Sequence, residues 1–117
     1  MNQAQREAVF DFLLLAMYAD RSLTLREDER LYELIRGLGW DADRDPEEYA
    51  QLATARVRAA TDTEGAVDPF LAILSQRLGD AEARKTALSL FNKLMEVDDV
   101  AASELEVHAR ARAIFGV

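Results

Sequence analysis

The sequence predicts an all-α fold, an orthogonal bundle of six or seven helices. Alanine and leucine dominate the 117 residues and only two prolines occur, a composition that favours helices. Apolar residues recur at helical spacing, and no segment shows the period-two alternation that indicates a half-buried strand. Half of the residues are apolar, so a chain of this length can form one core, and we expect a single domain over residues 1–117.

The first predicted helix runs from Gln3 to Ala19 and is apolar on nearly every side. A helix of this kind is typical of the middle of a bundle, because each of its faces needs a packing partner. We therefore expect it at the centre of the fold. Its large apolar positions are Val9, Phe10, Phe12, Leu13, Leu14, Leu15, Met17 and Tyr18.

Two later helices begin with the spacing of a capping box. Thr24 is followed three residues later by Glu27, and Ser103 is followed in the same way by Glu106. In such a box the hydroxyl accepts from the backbone N–H of the glutamate, whose side chain reaches back to the cap. This spacing predicts that the second helix starts at Thr24 and the last helix at Ser103.

The remaining helix starts carry aspartate. Asp45-Pro46 opens the third helix and Asp68-Pro69 the fourth, with the acid at the N-cap and proline at the first helical position. Asp80 opens the fifth helix. The predicted ends lie near Gly37, Ala60, Leu78, Asp98 and Phe115.

The two ends of the chain align as an internal repeat when Phe12 is placed on Phe91. Each copy has a buried helix that runs into an acid, then a Ser/Thr cap, a glutamate and a second helix. Two copies predict a pseudo-twofold bundle with the first and fifth helices at its centre. The other aligned pairs are Asp20 with Asp99, Thr24 with Ser103, and Glu27 with Glu106.

The first copy contains a short motif that resembles a known family. Residues 19–27 read Ala-Asp-Arg-Ser-Leu-Thr-Leu-Arg-Glu after an apolar helix. They are similar to the Ala-Asp-Gly-x-Val/Ile-Ser/Thr-x-x-Glu element of the TerB-like (tellurite-resistance B) domains. Residues 98–106 are a weaker second copy. The resemblance implies an all-helical bundle, bacterial and cytoplasmic, linked to tellurite and general chemical-stress resistance.

The resemblance also implies a divalent-metal role for the acids of the two copies. Carried over by position, the ligands are Asp20, Glu27, Asp99 and Glu106. Four converging carboxylates suit a hard cation such as Ca²⁺ or Mg²⁺, which prefers oxygen ligands. A local interpretation stays open, in which the two glutamates complete capping boxes and the two aspartates cap or solvate turns.

Two observations limit the kind of metal site that the sequence allows. Arg21 and Val100 stand where the family has glycine, so neither loop adopts a positive φ there at low cost. An EF-hand starting at Asp20 would place Leu25 and Leu31 where glycine and a bidentate glutamate belong, which excludes that motif.

Composition excludes several classes of function. The net charge of −8 repels a phosphate backbone, so we expect no nucleic-acid partner. The chain has no cysteine, and His108 is its only histidine, without an accompanying nucleophile motif, so we expect no enzyme and no catalytic residue. The longest apolar run, 12–19, is too short for a membrane span, and without a signal-peptide pattern we expect a cytoplasmic protein.

The charge is unevenly distributed along the chain. Residues 41–68 hold eight acids and three bases, and residues 95–107 hold five acids and no base. Residues 69–94 and 108–117 each carry a net charge of +2. The acidic concentration at 95–107 overlaps the second copy of the motif and favours a cation site there.

Two functions of different classes follow from these observations. The first is a non-catalytic TerB-like stress-response domain that binds a divalent cation through paired acidic loops. The alternative is a protein–protein interaction module, for another protein or for a second copy in a homodimer. It would use the acidic surface at 41–48 or an aromatic surface. The aromatic candidates are Tyr18, Tyr32, Trp40 and Tyr49.

Overall fold

The computed structural model describes residues 1–20, 24–96 and 102–117. These residues form six α-helices and no strand, as the sequence predicts. None of the helices within these ranges is long and apolar enough to cross a membrane. The helices are α1 (Gln3–Asp20), α2 (Leu25–Gly37), α3 (Pro46–Asp62), α4 (Val67–Leu78), α5 (Ala81–Met95) and α6 (Ala102–Phe115).

Helix α1 lies in the middle of the fold, which confirms the expectation from its apolar surface. It packs against each of the other helices. Every residue from 8 to 17 is buried, so no side of this part of the helix faces solvent. The remaining helices cover α1 and pack against one another only in part.

Two aromatic clusters on opposite sides of α1 hold the helices to it. Phe12 is fully buried, and its ring centroid lies 5.3 Å from those of both Phe91 on α5 and Phe115 on α6. Phe10 meets Trp40 at 5.5 Å and the rings of two tyrosines, one on α2 and one on α3. The aromatic side chains around Phe10 are therefore engaged in packing, as is typical of residues that seal the end of a bundle.

Three of the predicted helix starts are confirmed by cap hydrogen bonds. The Thr24 hydroxyl oxygen accepts from the backbone N–H of Glu27 at 3.1 Å. Asp45 and Asp80 each accept from a backbone N–H in the first turn of α3 and α5, at 3.0 and 2.7 Å. Each bond satisfies a donor that has no partner within its helix.

The other two predicted starts are wrong, because each helix begins two residues before its predicted first helical position. Helix α4 begins at Val67, not after Asp68, and α6 begins at Ala102, so Ser103 lies inside the helix rather than at its cap. Val67 packs against the core, and this contact draws it into the helix. Pro69 is the third residue of α4 and is tolerated there, because the N–H groups of the first turn have no partner within the helix.

One arginine connects the carboxyl ends of two helices. Arg84 on α5 donates to the backbone carbonyl of Ser75 from Nε and Nη2, at 3.2 and 3.0 Å. Its Nη1 lies 3.5 Å from the carbonyl of Phe115 at the end of α6. Because unsatisfied carbonyls make a helix end electronegative, a cation here stabilises both ends. Gly79, with a φ of +84°, ends α4 beside this contact.

Candidate functional site

A cleft of about 190 Å³ lies at the end of the bundle where α1 and α3 end and α4 and α6 begin. Ala19 lines the cleft from the last turn of α1, and Ser103 and Glu106 line it from the first turns of α6. Ala19 directly precedes Asp20, the first predicted ligand. The structure therefore brings the start of the first predicted motif, at Ala19, next to Ser103 and Glu106 of the second.

Glu27, the second predicted ligand, is buried in the first turn of α2. It is only 5% exposed, and the Thr24 hydroxyl donates to its Oε1 at 3.3 Å. Together with the bond from the Glu27 N–H to Thr24, this contact confirms that the two residues pair locally. The bond from the Glu27 N–H to the Thr24 hydroxyl is one half of the predicted capping box, and the carboxylate also accepts from that hydroxyl.

Glu106, the predicted counterpart of Glu27, has a different environment. Its side chain is 64% exposed and pairs with Arg110 one turn later, at 3.1 Å. An exposed pair at this spacing contributes only about 0.2–0.5 kcal/mol. Arg110 also reaches Asp68 on α4 at 3.4 Å. Glu106 thus borders the cleft as part of an exposed ion-pair network, not as a buried carboxylate.

Glu104 is a buried acid that sequence reasoning missed. It is 3% exposed and is the third residue of α6, just as Glu27 is the third residue of α2. Counting three residues from the first residue of each helix identifies Glu104, whereas the spacing from the predicted Ser103 cap identified Glu106. By helix position, Glu104 is the counterpart of Glu27.

The predicted set of four ligands stays a prediction. Asp20 is the last residue of α1, and Asp99 lies outside the described residues. Among the residues that the structure does describe, no three acidic or histidine side chains come together as a metal site. The described part of the cleft supplies Glu106 as a carboxylate and Thr61 and Ser103 as hydroxyls, together with the Arg110 guanidinium, which pairs with Glu106.

A second polar cluster lies at the centre of the fold and was also missed. Asp11 is fully buried in α1. Tyr49 donates to it at 2.6 Å, Arg77 approaches at 2.6 Å and Arg56 at 3.1 Å. A buried carboxylate is stable only when paired and hydrogen-bonded, and these contacts meet that need. An acid inside an otherwise apolar run was the signal that could have found it.

This cluster has a structural role. It connects α1 to α3 through Tyr49 and Arg56, and to α4 through Arg77. Tyr49 also accepts from Arg56 Nη2 at 2.8 Å, so each member has more than one partner.

The Tyr49 phenol makes stability sensitive to alkaline pH. Burial, and then the hydrogen bond to Asp11, raise the pKa of Tyr49 from 10.0 to about 12. Because the folded-state pKa is the higher one, its contribution is complete below pH 10 and is lost as pH rises towards 12. We expect a loss of about 1 kcal/mol, reduced from the full value because the side chain is half-buried. Urea unfolding of the unchanged protein and of Tyr49→Phe at a series of pH values measures this loss. If the unfolding free energies of the two proteins ran parallel above pH 10, the prediction would be wrong.

No protein-family model, curated protein or solved structure matches this chain. The likeness to TerB-like domains therefore rests on the sequence alone, on residues 19–27, their continuation through 38–41, and the weaker copy at 98–106.

Proposed function

We propose that this chain is a non-catalytic TerB-like domain of the stress-response type that binds a divalent cation, Ca²⁺ or Mg²⁺. The observation that carries the proposal is the cleft shared by Ala19 of α1 and by Ser103 and Glu106 of α6. The residue that precedes the first acidic loop lies there beside α6, the helix that follows the second acidic loop. This arrangement supports a site that draws its ligands from both predicted copies.

The burial of two equivalent carboxylates supports this proposal. Glu27 and Glu104 occupy the same position in α2 and α6, and both are nearly inaccessible to solvent. The N-terminal turn of a helix stabilises negative charge, and both side chains lie in such a turn. Residues 95–107 carry a net charge of −5, and such a segment favours a cation.

The same equivalence supports a pseudo-twofold repeat with an adjusted register. Phe12 and Phe91, which the repeat aligns with each other, are in contact across the centre of the core. That alignment pairs Glu27 with Glu106, whereas helix position and burial pair it with Glu104. The second copy would then be slightly shorter than the first between its aligned phenylalanine and its buried glutamate.

Calorimetric titration of the chelator-treated protein with Ca²⁺, Mg²⁺, Mn²⁺ and Zn²⁺ tests the cation site. We expect Ca²⁺ or Mg²⁺ to bind with a Kd below about 1 mM, the weak end of known protein sites for these ions. Replacing Asp20 and Asp99 together by asparagine should weaken binding by about tenfold or more, because two anionic oxygen ligands are lost.

A matched variant separates a specific site from general charge. Asp43→Asn with Glu48→Gln removes the same number of charges from exposed positions distant in sequence from both acidic loops. It should leave the affinity within about twofold of the unchanged protein. Equal affinities for both double variants, or no binding below about 1 mM, would show that the proposed site is wrong.

The exposed start of α3 favours a second candidate, a protein-interaction module. Asp43, Asp45, Glu47 and Glu48 are exposed, and one turn further Leu52 is 71% exposed. An apolar side chain bordered by acids suits a partner with a basic rim and an apolar centre. Sedimentation tests the homodimer, which is excluded if the protein remains monomeric at high micromolar concentration.

A further inference from the structure

A groove of about 220 Å³ between α5 and α6 gathers positive charge in this acidic protein. Lys85 and Asn92 line it from α5, and His108 and Arg112 from α6. These residues come from the two segments, 69–94 and 108–117, that each carry a net charge of +2. The fold therefore brings one cation from each of these segments, Lys85 and Arg112, to the same groove.

The cations of this groove are not neutralised by neighbouring acids. In the part of the chain that the structure describes, Lys85 and Arg112 have no carboxylate within 4 Å, the terminal group of Val117 included. Arg84, next to Lys85, is bound to backbone carbonyls and not to an acid. By contrast, Arg56 and Arg77 are paired with Asp11.

His108 lies in the groove without adding to its charge. Its ring packs 5.2 Å from that of Phe91. Burial, and then the nearby Arg112, lower the pKa of His108, so the imidazole is neutral at neutral pH. Its Nε2 is buried and has no hydrogen-bond partner among the described residues. The groove thus presents an ammonium, a guanidinium and an amide around a neutral ring.

We propose that the groove between α5 and α6 binds a phosphate group through Lys85, Arg112 and Asn92. A guanidinium provides paired N–H donors that match phosphate oxygens, and an ammonium adds a compact charge beside it. Leu88 and Val117 form apolar parts of the lining, where the organic part of a phosphate ester would lie. This groove shares no lining residue with the cleft of the proposed cation site.

Nuclear magnetic resonance titration with inorganic phosphate and with phenyl phosphate, at constant ionic strength, tests the proposal. His108 is the only histidine, so its imidazole protons give one reporter inside the groove. We expect saturable shifts of these protons and of amides in 85–92 and 108–117. Tighter binding of phenyl phosphate would assign the group to an ester, and equal affinities would assign it to free phosphate.

Matched variants decide whether the groove carries the binding. Lys85→Gln with Arg112→Gln should weaken binding by about tenfold or more, since both charge-assisted contacts are lost. Lys93→Gln with Arg26→Gln removes two exposed cations outside the groove and should change the affinity by less than about twofold. Shifts that never saturate, shifts confined to other helices, or equal losses in both double variants would each overturn the proposal.

Discussion

Asp11→Ala is expected to lower the free energy of unfolding by about 3 kcal/mol, a typical value for removing one partner of a buried ion pair. The substitution leaves Arg56, Arg77 and Tyr49 without their common acceptor. Both arginines are partly exposed and can turn towards water, which keeps the loss near the lower end of the range. Urea denaturation followed by circular dichroism measures it.

Two controls accompany this prediction. Asp43→Ala removes an exposed acid and should change the unfolding free energy by less than about 0.5 kcal/mol. Arg77→Gln removes only one of the two ion pairs and should have an effect between those of the two aspartate variants. A loss below about 1 kcal/mol for Asp11→Ala would mean that the cluster does not hold α3 and α4 to α1.

Phe12→Ala is expected to cost about 3–5 kcal/mol, the range for deleting a large aromatic side chain from a core. Phe12 is fully buried and contacts the rings of Phe91 and Phe115. The cavity would therefore open at the junction of α1, α5 and α6. Thermal and urea unfolding measure the loss. Ile73→Ala, at an exposed position, is the control and should cost less than about 1 kcal/mol. Similar losses in the two variants would contradict the central position of α1.

Much of the fold could be predicted because it depends on local signals. The apolar surface of α1 required burial on all sides, and Thr24, Asp45 and Asp80 marked three helix starts through their own side-chain bonds. The prediction at Asp68 was wrong because the core contact of Val67 extends α4 by two residues. Such a contact depends on tertiary packing and has no local signal.

The candidate sites were harder to predict for the same reason. The partners of Asp11 are 38 to 66 residues away in sequence, so no motif spacing connects them. Glu104 and Glu106 look alike in sequence, and only the position at which α6 begins shows which one is buried. The groove between α5 and α6 forms only because residues of two basic segments meet in the fold. The charges along the sequence identify the two segments but do not show where they meet.

The most direct test of the proposed cation site uses Mn²⁺ as a paramagnetic probe. Mn²⁺ accepts the oxygen ligands that suit Mg²⁺ and Ca²⁺, and it broadens the amide signals of nearby residues. If the cation binds where α1 ends and α6 begins, the amides of Ala19, Ser103 and Glu106 should broaden at substoichiometric metal. Asp20→Asn with Asp99→Asn should abolish this broadening. Broadening confined to residues 41–48, or unchanged in the double variant, would contradict a cation site at this end of the bundle.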